Sequence, residues 1–284
     1  MTTTSATQTA GKAQSKLSPR RRAYEVGMRT LLYVSAGATV LLLLFLIGYI
    51  FYRGLPNLNW TFLTSQESVL RGTDGILPAI QNTIYVIIVT LIFILPLGVG
   101  AAIYLTEYAR NRRLVAAIEF ATETLTGIPS IIFGLVGMLF FCQLLGLQAS
   151  LLAGSLTLVI VTIPTIIRTT QESLKTVPQS FREAALGLGA GKWHMIRTVV
   201  LPSSVDGIVT GCILAIGRIV GESAALLFTA GMGMSLYNFF GSVGNFIHSS
   251  GASLTVALYV YARERAEFDV AFAIAAILML LTLV

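Results

Sequence analysis

Arg182-Glu183-Ala184-Ala185-Leu186-Gly187-Leu188-Gly189, closed further on by Val199-Val200-Leu201-Pro202, is the stretch from which the rest of the chain can be read. It runs Glu-Ala-Ala, three residues, Gly, nine residues, then aliphatic-x-Leu-Pro, inside a basic segment too polar to lie in lipid. Pro178-Gln179-Ser180 supplies a break and a candidate N-cap, Phe181 to Leu188 contains good helix formers, and Gly189 lets the chain turn. Leu201-Pro202 opens the next apolar run, where Pro is tolerated in a first helical turn. The spacing predicts a short, rigid helix on a solvated loop between two membrane spans.

Composition agrees with such a setting. Of 284 residues, 55% are hydrophobic and 11% charged, and the mean hydropathy of +0.80 is far too high for a soluble chain of this length. A bilayer core of about 30 Å needs about 20 apolar residues as helix, and several segments approach that length. The expected fold is an all-α integral membrane protein with six transmembrane helices, over about 31–51, 80–105, 127–145, 151–167, 205–230 and 268–284. Residues 1–28 read as a disordered, basic tail, and 29–284 as one transmembrane domain whose loop 168–202 carries the motif. The first span is too long for a cleaved signal peptide and is kept as an anchor. The last is short, which suggests that the chain end as given is trimmed.

Other local signals fill in the path. Pro96 removes a hydrogen bond within the second span and predicts a kink there. Leu114 to Thr126, with Glu119 and Glu123 four apart on one face, reads as an amphipathic helix at the membrane surface, and Gly127-Ile128-Pro129 opens the third span. Gly231 to Asp269 reads as a polar connection with an apolar-aromatic patch. Cys142 and Cys212 fall inside apolar spans and read as packing residues.

The net charge of +6 is positional. Lys12, Lys16, Arg20 to Arg22, Arg29, Arg110, Arg112, Arg113, Lys175, Arg182, Lys192 and Arg197 fall on one side of the spans; Arg53, Arg71, Arg263 and Arg265 fall on the other. The positive-inside rule makes the first side cytoplasmic, together with both termini and the Glu183 loop. A nucleic-acid partner would need these charges gathered on one solvated domain, so none is expected; the expected surroundings are lipid.

Charges inside the spans cost about 2.5 to 3.5 kcal/mol each at a helix centre, so they need a reason. Arg218 and Glu222, four apart in the fifth span, should share a helix face and be able to pair, with Gly217 and Gly221 allowing close helix approach. A guanidinium there could bind a tetrahedral oxyanion through several directed donors, or the pair could be a neutralised interhelical bond. Arg168, at the end of the fourth span, could snorkel to the interface or line a pathway. Leu186 and Trp193 break the phosphate-loop pattern that Gly187, Gly189, Gly191 and Lys192 suggest, so this chain should not hydrolyse ATP. His194 and His248 have no partners at metal-ligand spacing, and no metal site or cofactor is expected.

The Glu183 loop resembles the coupling loop of ABC importer permeases, which docks onto a separate ATPase. Beyond it, Leu95-Pro96-Leu97-Gly98-Val99-Gly100-Ala101-Ala102-Ile103-Tyr104-Leu105, Gly127-Ile128-Pro129-Ser130-Ile131-Ile132-Phe133-Gly134-Leu135 and Gly221-Glu222-Ser223-Ala224-Ala225-Leu226-Leu227-Phe228-Thr229-Ala230 resemble the PstA permeases of phosphate-specific ABC importers. Ala225 stands where that family usually has Pro. The resemblance implies a type I importer permease of the MetI-like class in a bacterial cytoplasmic membrane. It implies a PstC-like permease, two copies of a PstB-like ATPase that uses ATP and Mg, and a PstS-like extracytoplasmic phosphate-binding protein as partners. It marks Arg218 and Arg168, and less directly Glu222, as pathway positions. Arg182, Glu183, Ala184, Ala185, Gly189, Leu201 and Pro202 are the expected ATPase-coupling residues. A permease for sulfate or molybdate is the alternative in the same class; an ATP-independent channel or carrier would leave the loop without a purpose.

Overall fold

The computed structural model describes residues 19–68, 73–234 and 248–283. Residues 1–49 and 50–284 form separate units. The first consists of most of helix α1, Pro19–Gly54, stabilised near its start by an i,i+4 ion pair of Glu25 with Arg29 at 3.1 Å. Leu41 to Leu44 lie more than half exposed, as suits a helix whose solvent is lipid. The helix starts well before the expected span: with Pro19 in its first turn and Arg20 to Arg22 following, the basic run from Pro19 is helical rather than part of a tail. The rest of the expected tail, with Lys12 and Lys16, lies outside the described residues, as does Arg71.

The second unit begins at the end of α1. A 3₁₀ turn at Leu55–Asn57 and helix α2, Trp60–Thr64, lead into two short antiparallel strands, β1 (Gln66–Ser68) and β2 (Thr73–Ile76), which pair Gln66 with Ile76 and Ser68 with Thr73. This strand pair is the one departure from an all-helical chain among the described residues. Helix α3, Leu77–Ile103, continues through Pro96 and ends in a π turn at Tyr104–Tyr108. Helix α4, Arg112–Thr126, has no buried residue, and it meets α5, Ser130–Gly137, at 99°. That bend falls on Gly127-Ile128-Pro129, where Pro129 forces the preceding residue out of helical backbone.

Helix α6, Leu151–Thr176, is the centre of the bundle. Its Ser150 N-cap accepts from the Ala153 N–H, and its residues from Leu151 to Leu174 are largely buried. It does not end near Ile167 as expected but carries on through Arg168 to Thr176, so the first part of the presumed loop is helix. Close approach to α6 is made by glycines. A Cβ at Gly98 of α3 would lie 2.6 Å from Ile166, and one at Gly211 of α10 (Val205–Gly221) would lie 2.3 Å from the Thr169 hydroxyl. Helices α7 (Gln179–Gly187), α8 (Lys192–Met195) and α9 (Leu201–Ser203) form the connection from α6 to α10, with a π turn at Ile196–Val200.

The expected fifth span is broken. α10 stops at Gly221, Glu222 is extended at φ −85° and ψ 112°, and α11 restarts at Ala224–Thr229. The cause is a segment from further along the chain. Helix α12, Leu254–Tyr259, and the π turn Val260–Glu264 after it lie in the core, with Leu254, Val256, Ala257 and Tyr261 almost fully buried. The supposed polar connection therefore contains a buried helix; most of its aromatic patch, 235–247, lies outside the described residues. Asn82 of α3 donates to the Ala252 carbonyl at 3.1 Å and Thr83 accepts from the Leu254 N–H at 2.9 Å, so the entry into α12 is paid by side chains. Helix α13, Phe268–Leu283, closes the unit. At the same end of the bundle Arg265 bonds Glu67 and covers the Tyr261 ring at 4.8 Å.

By length and composition, α1, α3 with its π turn, and α6 are each long and apolar enough to cross a membrane. Two bent pairs, α4 with α5 and the 192–203 helices with α10, raise that to five if each is one span, and α13 is a shorter apolar helix.

Candidate functional site

The motif helix α7 splits its residues between two faces. Arg182 and Ala185, three apart, turn inward; Glu183 and Ala184 turn outward with Phe181 and Leu188, which are 52% and 90% exposed. Ala185 and Leu201 pack on a cluster of Ala102, Ile103, Leu174, Val177, Met195, Ile196 and Val200. The small side chain at 185 therefore lets α7 sit against its own bundle, whereas Ala184 is free for a partner surface. Gly189 has φ +86°, a left-handed conformation that closes the helix C-terminus, and the Gly189 and Ala190 N–H groups bond back to Leu186 and Ala185. Pro202, exposed, sits in the first turn of α9.

Arg182 does not reach toward solvent, as the expected contact with a docking partner requires. Its Nε and Nη2 donate to Glu107 Oε1 at 3.1 and 2.9 Å, Nη2 also to the Leu174 carbonyl at 2.8 Å, and Nη1 to the Val177 carbonyl at 2.5 Å. The two side chains are only 11% and 8% exposed. A guanidinium beside the last turn of α6 meets carbonyls that have no helical partner, and Glu107 supplies the compensating charge that burial demands. Glu107 carried no assigned role in the sequence; its signal was a lone carboxylate at the end of an apolar span.

Arg218 lies in a different setting. It is partly buried on α10, and among the described residues its one hydrogen bond runs from Nη1 to Thr165 Oγ1 of α6 at 3.4 Å. No ion pair joins it to Glu222 among the described residues. The expected shared face is lost because the chain leaves the helix at Glu222. The Glu222 carboxylate instead accepts from the Ala225 N–H at 3.2 Å, at the start of α11, and its backbone carbonyl accepts from Thr255 Oγ1 at 3.0 Å. Gly217 and Gly221 make no close helix approach: a Cβ at either would meet nothing within 4 Å. The helix contacts expected of them fall on Gly207 and Gly211, against Ser173 and Thr169 of α6. Among the described residues, the Gly217 and Gly221 side of α10, beside Arg218, is open.

Arg168 follows one turn after Thr165 on α6, with its Nε 3.2 Å from Glu172 Oε1 and both side chains about two thirds exposed (67% and 65%). An ion pair so wetted holds weakly. It lines a cavity of about 460 Å³ between α4 and α6, where Glu119 accepts from Gln171 at 3.3 Å and meets Lys175 at 3.6 Å. Thr165 lines the same cavity, so one hydroxyl stands between the two arginines on the α6 surface. Cys142 donates to the Thr229 carbonyl at 3.7 Å, a packing contact between the π-helical stretch that continues α5, Met138–Leu144, and α11.

Comparison with known proteins places this architecture. The family described as binding-protein-dependent transport system inner membrane component matches residues 94–284. The probable ABC transporter permease protein YqgI of Bacillus subtilis is 38% identical over 194 residues, 68% of this chain; the chain spans just under two thirds, 66%, of that relative. The phosphate transport system permease protein PstA of Yersinia pestis is 35% identical over 218 residues, 74% of this chain and 73% of that protein. In fold, the chain is similar to a bacterial ABC transporter involved in import of the acidic polysaccharide alginate, with TM-score 0.63 at 15% identity over 93% of this chain and 94% of the other. The chain belongs to the binding-protein-dependent transport inner membrane component family, among its PstA-type permeases.

Proposed function

We propose that this chain is the transmembrane permease subunit of an ATP-driven inorganic phosphate importer. The observation that carries the reading is Arg218. It is a guanidinium in the last turn of an apolar helix, and among the described residues it is left with one long bond to Thr165 and an open flank at Gly217 and Gly221. A guanidinium has five N–H donors, so most of this one's capacity is unspent among the described residues. A tetrahedral oxyanion accepts two such donors at once, and the similarity to PstA proteins supports phosphate over sulfate or molybdate.

A second, PstC-like permease would face the open side of α10 and complete the pathway. Arg168, held by a wetted ion pair, would exchange Glu172 for the anion as it leaves past Thr165. Glu222, which fixes the break between α10 and α11, would shape the pathway rather than neutralise Arg218. A PstB-like ATPase dimer would take up the outward face of α7, with Phe181, Glu183, Ala184 and Leu188, and ATP with Mg would be consumed there. A PstS-like binding protein would deliver phosphate from the opposite side. In this arrangement the α7 end of the bundle and both termini are cytoplasmic.

The test is reconstitution of the complete complex in proteoliposomes with labelled phosphate. Uptake should require both ATP and the binding protein, and unlabelled phosphate should compete far better than sulfate or molybdate. Phosphate uptake without the ATPase subunits would overturn the proposal, and equal competition by sulfate would reassign the cargo.

A further inference from the structure

We infer that Glu107 and Arg182 form the joint through which movement of α7 enters the membrane helices, which makes Glu107, outside the Glu-Ala-Ala motif, a positioning residue for transport. The inference rests on the importer reading above. The ends of two helices converge on one guanidinium of a third. Glu107 belongs to the π turn that ends α3, Leu174 lies in the last turn of α6 and Val177 just beyond it, and Arg182 belongs to α7. The four bonds, from 2.5 to 3.1 Å, run to three acceptors on the ends of two helices, Glu107 Oε1 and the Leu174 and Val177 carbonyls, so they fix both the distance and the rotation of α7 against α3 and α6. Lys192, beyond the turn at Gly189, donates to the backbone carbonyl of the same Glu107 and stands 4.9 Å over the Tyr108 ring, so both arms of the loop grip the end of α3.

Apolar contact alone would not do this. The cluster that holds Ala185 and Leu201 is built from aliphatic side chains, and such surfaces can slide over one another because the hydrophobic effect is non-directional. Separating Arg182 from Glu107, by contrast, would strand two charges out of water. A push on α7 therefore moves the ends of α3 and α6 with it. α6 is packed on α10 through Gly207 and Gly211, and α10 carries Arg218. The joint thus stands at the start of a continuous line of packed helices from the loop to the open face of α10.

The experiment uses the full complex with the Glu107→Gln and Arg182→Lys permeases, each of which keeps part of the hydrogen bonding. Three quantities are read: hydrogen exchange of the 179–187 amides, retention of the ATPase on purification, and anion imported per ATP hydrolysed. The expected result is exchange in 179–187 raised about tenfold, the ATPase still bound, and import per ATP reduced by about tenfold. Unchanged import per ATP, or reduced import with unchanged exchange, would overturn the inference. Failure of both variants to assemble would also overturn it, since the pair would then be a folding anchor only. If the unmodified complex imports another oxyanion, the ratio is read with that anion, so failure of the phosphate reading is seen separately.

Discussion

Two arginines in this molecule show opposite ways of placing a guanidinium out of bulk water. Arg182 is 11% exposed and makes four hydrogen bonds, with a carboxylate and two helix-end carbonyls as partners. Arg218 has one bond of 3.4 Å among the described residues and stands beside open helix surface. The sequence places Arg182 at a partner surface and leaves Arg218 either to pair with Glu222 or to bind an oxyanion; in the fold Arg182 lies against Glu107, and no ion pair joins Arg218 to Glu222 among the described residues. A buried charge paired with its opposite and bonded on several sides holds elements together, whereas a charge with most of its donors spare is available to a ligand. Under the function proposed above, the difference suits Arg182 to mechanics and Arg218 to the cargo.

The comparison can be broken most readily at Arg182. Arg182→Ala leaves the buried Glu107 carboxylate unpaired, for which about 3 to 5 kcal/mol of lost stability is expected, seen as a large drop in the thermal midpoint of the purified permease. Arg218→Ala should leave that midpoint nearly unchanged; equal losses from the two would erase the distinction. Gly211→Ala comes next. The added methyl would press on Thr169 at 2.3 Å, and the expected cost is about 1 to 3 kcal/mol by the same measurement. Glu222→Ala should cost about 1 kcal/mol, the value of a lost helix-start acceptor, with little of the coulombic effect that an Arg218 partner would carry. Gly217→Ala should be the mildest for the isolated permease, within about 0.5 kcal/mol, while weakening association with the second permease as measured by co-purification. A Gly217→Ala cost as large as that of Gly211→Ala would mean the open face is not open.

Much of the architecture was legible because its signals are local. The bend before α5 follows from Pro129, and the turn after α7 from Gly189 at φ +86°. The motif loop could be placed from apolar periodicity and charge. What was not legible depended on residues distant in sequence. Where α10 stops, the Glu222 carbonyl takes a bond from Thr255 beside the local bond of its carboxylate with the Ala225 N–H, and no pattern within 205–230 encodes a partner at 255. The stretch 254–264 looked like connection because its burial is granted by Asn82 and Thr83 of α3. The same holds for the site. Arg168 and Arg218 stood out by their cost in an apolar run, but Glu107 lay at a span boundary where acids are ordinary, and the partner that gives it meaning lies 75 positions away. Helix periodicity also could not say which glycines of α10 face a neighbour, because both Gly207 with Gly211 and Gly217 with Gly221 have the same spacing.

The central claim is that Arg218 serves the anion while the loop joint serves the motor, and one measurement addresses both. Phosphate uptake and ATP hydrolysis are followed in the same proteoliposomes for the complete complex carrying Arg218→Gln. Loss of two charge-assisted hydrogen bonds, at about 1.5 kcal/mol each, predicts uptake reduced by roughly 100-fold, with the complex assembled and ATP still hydrolysed. Uptake at the unmodified rate would contradict the proposal, because the Arg218 guanidinium, with its spare donors, would then have no part in carrying the anion.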